Sequence, residues 1–166
     1  MQAHITIKEA TTADIPLLNK LAEATWHHTY KSILSEEQIA YMFEVIYKEE
    51  ALLRQMQDGQ IFLLLYADAQ PVGFAAYSEK EAEEKIYKLN KIYLLPECQG
   101  KGYGKHLLTF VEEQVKKRGA LVLDLNVNRY NNAQQFYERC GYHVHQQENI
   151  AIGPYWMNDY VMRKAL

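Results

Sequence analysis

The strongest constraint on folding is a strand, a glycine-rich turn, a helix and a second strand in direct succession. Residues 86–94 read as a strand that stops before Pro96. The run Gln99-Gly100-Lys101-Gly102-Tyr103-Gly104-Lys105 follows, and then Leu107, Leu108, Val111 and Val115 recur at helical spacing up to Gly119. Residues 121–127 read as the next strand, rich in apolar residues on both faces and so suited to a central position. A strand–helix–strand crossover of this kind requires the two strands to be parallel.

The rest of the chain builds a mixed sheet around that unit. His4-Ile5-Thr6-Ile7-Lys8 alternates as a strand. Thr11, Thr12 and Asp14 supply N-cap candidates before Pro16, opening a helix to about Thr29. Ser35-Glu36-Glu37-Gln38 fits a capping box at the start of a second helix, and a third spans residues 49–57. Residues 61–66 and 72–78 form an antiparallel hairpin, and the charged residues 79–85 read as a solvated turn. A helix over residues 133–140, closed by Gly141, precedes two last strands over 142–152 and 156–164. The expected class is α/β (α+β layered), with residues 1–166 as one domain.

Composition narrows the function. Lys+Arg 18 against Asp+Glu 21 gives a net charge of −3, so no global field draws the chain to nucleic acid or an anionic membrane. Cys98 and Cys140 make no disulfide framework or zinc spacing, and the N-terminal residues hold no apolar run of signal-peptide length. The expectation is a cytoplasmic protein with reduced thiols and no metal. His143 and His145 share one face of a strand and read as two solvent-facing imidazoles.

The glycine run creates a cradle for phosphate, because free N–H groups of the turn and helix start form a positive concavity. A P-loop needs Gly-Lys followed by Ser or Thr after a four-residue gap, and a dinucleotide fingerprint needs GxGxxG; neither is present. The spacing that is present, Gln99-x-x-Gly102-x-Gly104, resembles the coenzyme A loop of GCN5-related N-acetyltransferases (the GNAT superfamily). Leu89-Asn90-Lys91-Ile92-Tyr93-Leu94-Leu95-Pro96 is similar to the strand before that loop. Asn126 to Ala133, with Phe136-Tyr137 and Gly141-Tyr142, resembles the family's later segment. Thr25-Trp26-His27-His28-Thr29-Tyr30 and Asn158-Asp159-Tyr160-Val161-Met162 are similar to the PaiA-like polyamine acetyltransferase branch.

The resemblance implies a mixed central sheet with splayed parallel strands flanked by helices, acetyl-CoA as cosubstrate and a small amine as acceptor. It also allows a homodimer through the late strands. It implies that Ile92, Tyr93 and Leu94 offer backbone groups to the pantetheine arm. Gln99, Gly100, Lys101, Gly102, Tyr103, Gly104 and Lys105 would hold the pyrophosphate, and Asn131 and Asn132 would contact the arm. The side chains of Tyr93 and Tyr103 are expected to pack, leaving their backbone functional.

Amine acetylation sets the chemical demand. An amine of pKa about 10.4 is neutral in roughly one molecule in 2,500 at pH 7, a handicap of about 4.6 kcal/mol. A proton acceptor, a water relay or desolvation must supply that energy. The resemblance makes Tyr137 the proton donor to the departing sulfur; the alternative is a helix tyrosine that only caps a neighbour. Many relatives carry Glu where this chain has Asn90, so the base stays open among a water on Asn90, His27, His28, Tyr30 and Tyr77; Tyr130 stands where many have Asn, which leaves open which asparagine contacts the arm. Glu79, Glu81, Glu83 and Glu84 are candidates for an acidic rim facing a cationic acceptor. Cys98 adjoins the loop, yet direct transfer is favoured over an acetyl-cysteine. Acetylation of a protein N-terminus or another small amine, and a non-catalytic acyl-CoA sensor, are the competing readings.

Overall fold

The computed structural model describes residues 3–166, so Met1 and Gln2 of the N-terminal stretch lie outside the described residues. The strands are β1 (Ile5–Glu9), β2 (Ile61–Ala67), β3 (Gln70–Glu81), β4 (Ile86–Leu94), β5 (Val122–Asn128), β6 (His143–Ile152) and β7 (Tyr155–Ala165). The helices are α1 (Ile15–Tyr30), α2 (Glu36–Tyr47), α3 (Glu49–Gln57), α4 (Tyr103–Lys117) and α5 (Ala133–Arg139). Helix starts follow local chemistry. The Thr11 N–H donates to the Asp14 carboxylate at 2.8 Å just before α1, and Ser35 Oγ accepts from the Gln38 N–H at 3.1 Å to cap α2. The expected reciprocal half of that second box does not form. Gln38 Nε2 instead donates to the Trp156 carbonyl at 2.8 Å, tying α2 to β7.

The seven strands form one sheet in the order β1-β2-β3-β4-β5-β7-β6, antiparallel everywhere except between β4 and β5. The parallel ladder is short: Ile86, Tyr87, Lys88 and Leu89 face Val122, Leu123, Asp124 and Leu125, and there it ends. Both strands continue. β4 stays on β3, with Ile92 opposite Ala75 and Leu94 opposite Gly73, while β5 stays on β7, with Asn126 opposite Val161. The cause sits at Asn90. Tyr77 of β3 faces Leu89 and Ala76 faces Lys91, so Asn90 is an extra residue in β4, a bulge that bends the strand away from β5.

Two apolar layers cover the sheet. Leu107, Leu108, Val111 and Val115 of α4 are fully buried against Leu123, Leu125 and Met162, each side chain contributing about 1.5–3 kcal/mol by leaving water. On the other face α1, α2 and α3 pack on Phe62, Leu64, Phe74 and Ala76. Trp26 organises this layer, with ring centroids 4.4 Å from Tyr30, 5.2 Å from Tyr47 and 6.1 Å from Tyr93. Its indole N–H donates to the Ile39 carbonyl at 3.1 Å.

Three expectations need correction. β5 is not apolar on both faces: Leu123, Leu125 and Val127 join the α4 layer, whereas Asp124, Asn126 and Asn128 point to the opposite side. Residues 79–81 are not a turn but the end of β3, paired with Tyr87 and Ile86, because the hairpin to β4 is longer than its apolar part. His143 and His145 are both exposed, but the register slips between Val144 and Gln146, leaving His145 as an extra residue outside simple alternation.

The extended β3 has an energetic reason. Asp124 is 0% exposed; Lys80 Nζ donates to its Oδ2 at 2.8 Å, and Arg163 donates to both oxygens at 2.7 and 2.9 Å. Burial alone would raise this carboxyl, but the bonds from Arg163 and Lys80 hold it below the usual carboxylate range. A carboxyl lowered on folding stabilises the fold above the unfolded value near 3.9, and that contribution is lost as pH falls through the folded value. Asp124→Asn is therefore expected to cost about 3 kcal/mol in urea unfolding at pH 7. Its deficit relative to wild type should shrink steadily below about pH 4; a deficit unchanged between pH 7 and pH 3 contradicts this assignment.

Candidate active site

Where β4 and β5 part, a cleft of about 770 Å³ opens, walled by residues of α1, β4, the glycine loop, β5 and α5. Along residues 90–94 of β4 and 126–128 of β5, the facing edges have no strand partner. Unpaired main-chain N–H and C=O groups in such a gap need hydrogen bonds from water or from an extended ligand. Ile92, Tyr93 and Leu94 all line the gap.

The loop after β4 begins with a short 3₁₀ turn, Pro96–Cys98, and carries two left-handed residues, Gly100 at φ 79° and Gly102 at φ 83°. Only glycine takes that conformation without strain, and here it turns the chain straight into α4. Gly104 is bare toward the cleft: a Cβ there would stand 3.5 Å from Leu94 and 3.6 Å from Phe136. The first turn of α4 thus presents free N–H groups and a positive dipole end to the cleft mouth. Gln99, Gly100, Gly102, Gly104 and Lys105 line it. Gln99 Nε2 also donates to the Leu94 carbonyl at 3.4 Å, bracing the loop on the strand. Lys101 is exposed, and Tyr103 packs against the α4 core; neither forms the wall. Cys98 packs against the same core.

On the opposite wall, Asn131 Oδ1 accepts from the Ala133 N–H at 2.9 Å, so this side chain shapes the start of α5 and keeps only its amide N–H groups to give. Asn132 is exposed beside it, and both line the cleft, whereas Tyr130 turns outward with 73% exposure. Tyr137, 8% exposed, reaches the cleft from α5 between Phe136 and Tyr142. Burial, with Tyr30 and Cys140 adding to it, pushes its hydroxyl well above the ordinary phenol value. The phenol is therefore protonated at neutral pH.

The candidates for a proton relay separate clearly. His27 faces outward, its Nε2 2.9 Å from Glu36. Tyr77 lies in the α4 layer, near Arg118. Tyr30 and His28 line the cleft, and the Tyr30 hydroxyl stands 3.4 Å from that of Tyr93. Burial first, and then Tyr93, raise the Tyr30 hydroxyl well above its ordinary value. Asn90 lines the cleft too, but its amide donates to Ser78 Oγ at 2.8 Å. Lys91 lines the cleft as well, its side chain turned toward β2; burial lowers it to about 7, and its Nζ donates to Gln60 Oε1 at 2.8 Å.

The acidic groups near the cleft are not those expected. Glu79, Glu81, Glu83 and Glu84 are exposed at the far end of β4, away from the gap. Glu148 and Asp159 take that place, both bonded to the amide of the cleft residue Asn126, at 3.0 and 3.2 Å. The missed signal was alternation within β5: Asp124, Asn126 and Asn128 set a polar stripe in a central strand. Among the described residues no cluster of three or more His, Cys, Asp or Glu forms a metal site, and no helix is long and apolar enough to cross a membrane.

Comparison with known proteins agrees with this geometry. The sequence model of the acetyltransferase (GNAT) domain matches residues 30–162. A spermidine N(1)-acetyltransferase of Thermoplasma acidophilum is 31% identical over 96% of both chains. The crystal structure of PaiA N-acetyltransferase from that organism, in complex with coenzyme A, superposes with a TM-score of 0.82 at 30% identity, covering 98% of this chain and 99% of that one. A GCN5-related N-acetyltransferase from Rhodopseudomonas palustris shares the fold, with a TM-score of 0.84 at 22% identity over 100% and 98% of the two chains. A glycine turn feeding a helix beside two parting parallel strands is thus the framework of a known enzyme family, and the chain belongs to it: it is a GNAT N-acetyltransferase.

Proposed function

We propose that this chain moves an acetyl group from acetyl-CoA directly to a primary amine, with a polyamine such as spermidine as acceptor. The observation that carries the reading is the gap between β4 and β5 ending on the N-terminus of α4. Main-chain groups of residues 92–94 suit the amide-bearing pantetheine arm as a surrogate strand. The N–H groups of residues 100–105 suit a diphosphate, which a helix N-terminus favours by both hydrogen bonding and dipole. Asn131 and Asn132, in the turn between β5 and α5, line the same cleft and suit contacts to that arm.

In this arrangement an N–H of β4 stabilises charge on the thioester oxygen during attack. Tyr137 then protonates the departing sulfur, a role that suits a phenol kept neutral by burial. The relatedness to a spermidine N(1)-acetyltransferase, and Glu148 and Asp159 beside the cleft, support the polyamine as acceptor. Residues 1–166 then act as one acetyltransferase domain. The free Cys98 and Cys140 suit a reducing cytoplasm, and the exposed edge strand β6 is where a homodimer would form.

A second reading, a non-catalytic acyl-CoA sensor, is favoured by Asn90, whose amide cannot accept a proton and is engaged by Ser78. Turnover separates the two. With spermidine and acetyl-CoA, mass spectrometry should show monoacetylspermidine, and CoA release should exceed the no-amine background. Inert spermidine with a reactive peptide amine contradicts the polyamine acceptor; no thiol release with any amine supports the sensor. Tyr137→Phe is expected to lower kcat roughly 100-fold while calorimetry shows CoA affinity within a factor of about three. Undiminished kcat removes Tyr137 from the role of acid.

A further inference from the structure

Asp159 and Glu148 form the one conspicuous imbalance near the cleft. Asp159, opposite Asn128 in the β5–β7 ladder, is 5% exposed. Its Oδ2 accepts from Asn126 Nδ2 at 3.2 Å, and the same nitrogen donates to Glu148 Oε1 at 3.0 Å. Asp159 Oδ1 accepts from no donor among the described residues, and neither carboxylate has a cation in ion-pair contact. The nearby cations are otherwise placed. Arg129 donates its Nε to the main-chain carbonyl of Asp159 at 3.2 Å and its Nη2 to the Asn149 side chain. Lys88, on β4, faces the same side without bonding to either carboxylate. Lys80 and Arg163 are held by Asp124.

A buried carboxylate, Asp159, that shares one neutral amide with the half-buried Glu148 is costly unless a cation reaches it. Asp159 and Glu148 lie just behind the cleft wall and meet it through Asn126, which both carboxylates bond and which lines the cleft with Tyr30. An acceptor amine arrives as an ammonium ion and supplies the missing charge. We propose that Asp159 receives the reacting ammonium group and takes its proton, with Asn126 and Glu148 as positioning residues. This rests on the acetyltransferase reading above. The environment suits the task. Burial raises the Asp159 carboxyl above its ordinary value, Glu148 adds to the rise, and Asn126, Lys88 and Arg129 oppose it, leaving a stronger base than a solvated aspartate.

The step balances. The ammonium gives one proton to the Asp159 carboxylate, the neutral nitrogen bonds to the thioester carbon, and the carbon–sulfur bond breaks. The sulfur leaves with the Tyr137 proton, and the second proton shed by nitrogen restores that phenol. Asp159 returns its proton to solvent, so acetylated amine, CoASH and one H⁺ are the products.

The test is the pH profile of kcat/KM for spermidine, measured on the full chain from pH 5 to 10, with CoA calorimetry in parallel. If Asp159 accepts the proton, wild type shows a plateau between about pH 7 and 9, because ammonium and carboxylate are the reactive pair. Asp159→Asn should keep CoA affinity, lose roughly 100-fold or more at pH 7, and follow a line of unit slope as free amine accumulates. Glu148→Gln should shift the limb at the acidic end and raise KM for spermidine more than it lowers kcat. A wild-type profile that already rises with unit slope overturns the proposal even if Asp159→Asn fails to fold. So does a CoA-binding Asp159→Asn within twofold of wild type across the range. A wild type that binds CoA yet releases no thiol, or fails to bind CoA, overturns the acetyltransferase reading first and the role of Asp159 with it.

Discussion

One additional residue in one strand governs this molecule. Parallel β4 and β5 hold together for four residue pairs, and the bulge at Asn90 then carries β4 away while each strand keeps its outer neighbour. The sheet therefore stays continuous and stable on both sides of an opening. Without the bulge, the facing main-chain groups would satisfy one another; with it, they remain available in an otherwise rigid frame. Because the helix that follows β4 starts at the same end, its N–H groups complete a polar surface with the edges of the gap.

The two sides of the sheet then take different duties. The α4 layer is apolar and anchors the parallel pair through Leu123 and Leu125. The other side carries the aromatic layer around Trp26 over β2 to β4 and a polar stripe over β5 and β7. Within that stripe, Asp124 is neutralised by Lys80 and Arg163 and acts as a structural clasp, whereas Asp159 and Glu148 are left without a cation. Two carboxylates on the same surface, one saturated and one open, differ by their neighbours alone. Tyr137 and Tyr30 are likewise both buried phenols, set on opposite walls of one cleft.

Much of this was legible in the sequence, for physical reasons that can be named. The parallel pair followed from strand, helix and strand with no room for a hairpin, and the cradle from Gly100, Gly102 and Gly104 at the helix start. Tyr137 stood on a short helix in a recognisable segment. The bulge at Asn90 left no mark, because register is a property of two strands and not of one. Asp159 was visible only as part of a terminal motif; its partners Asn126 and Glu148 lie 33 and 11 positions away and meet through the β5-β7-β6 order. The run 79–84 is dense in acidic residues, yet the contact it contributes to the fold is structural, from Lys80 to Asp124. Alternation in β5 was readable and was overridden by its apolar content.

The most direct measurement is a crystal structure of the chain with coenzyme A. The account predicts the pantetheine arm between residues 90–94 and 126–128, the diphosphate on the main-chain N–H groups of residues 100–105, and the sulfur within reach of the Tyr137 hydroxyl. A β4–β5 ladder that continues past Leu89 and Leu125, or coenzyme A bound elsewhere with that gap closed, would contradict it.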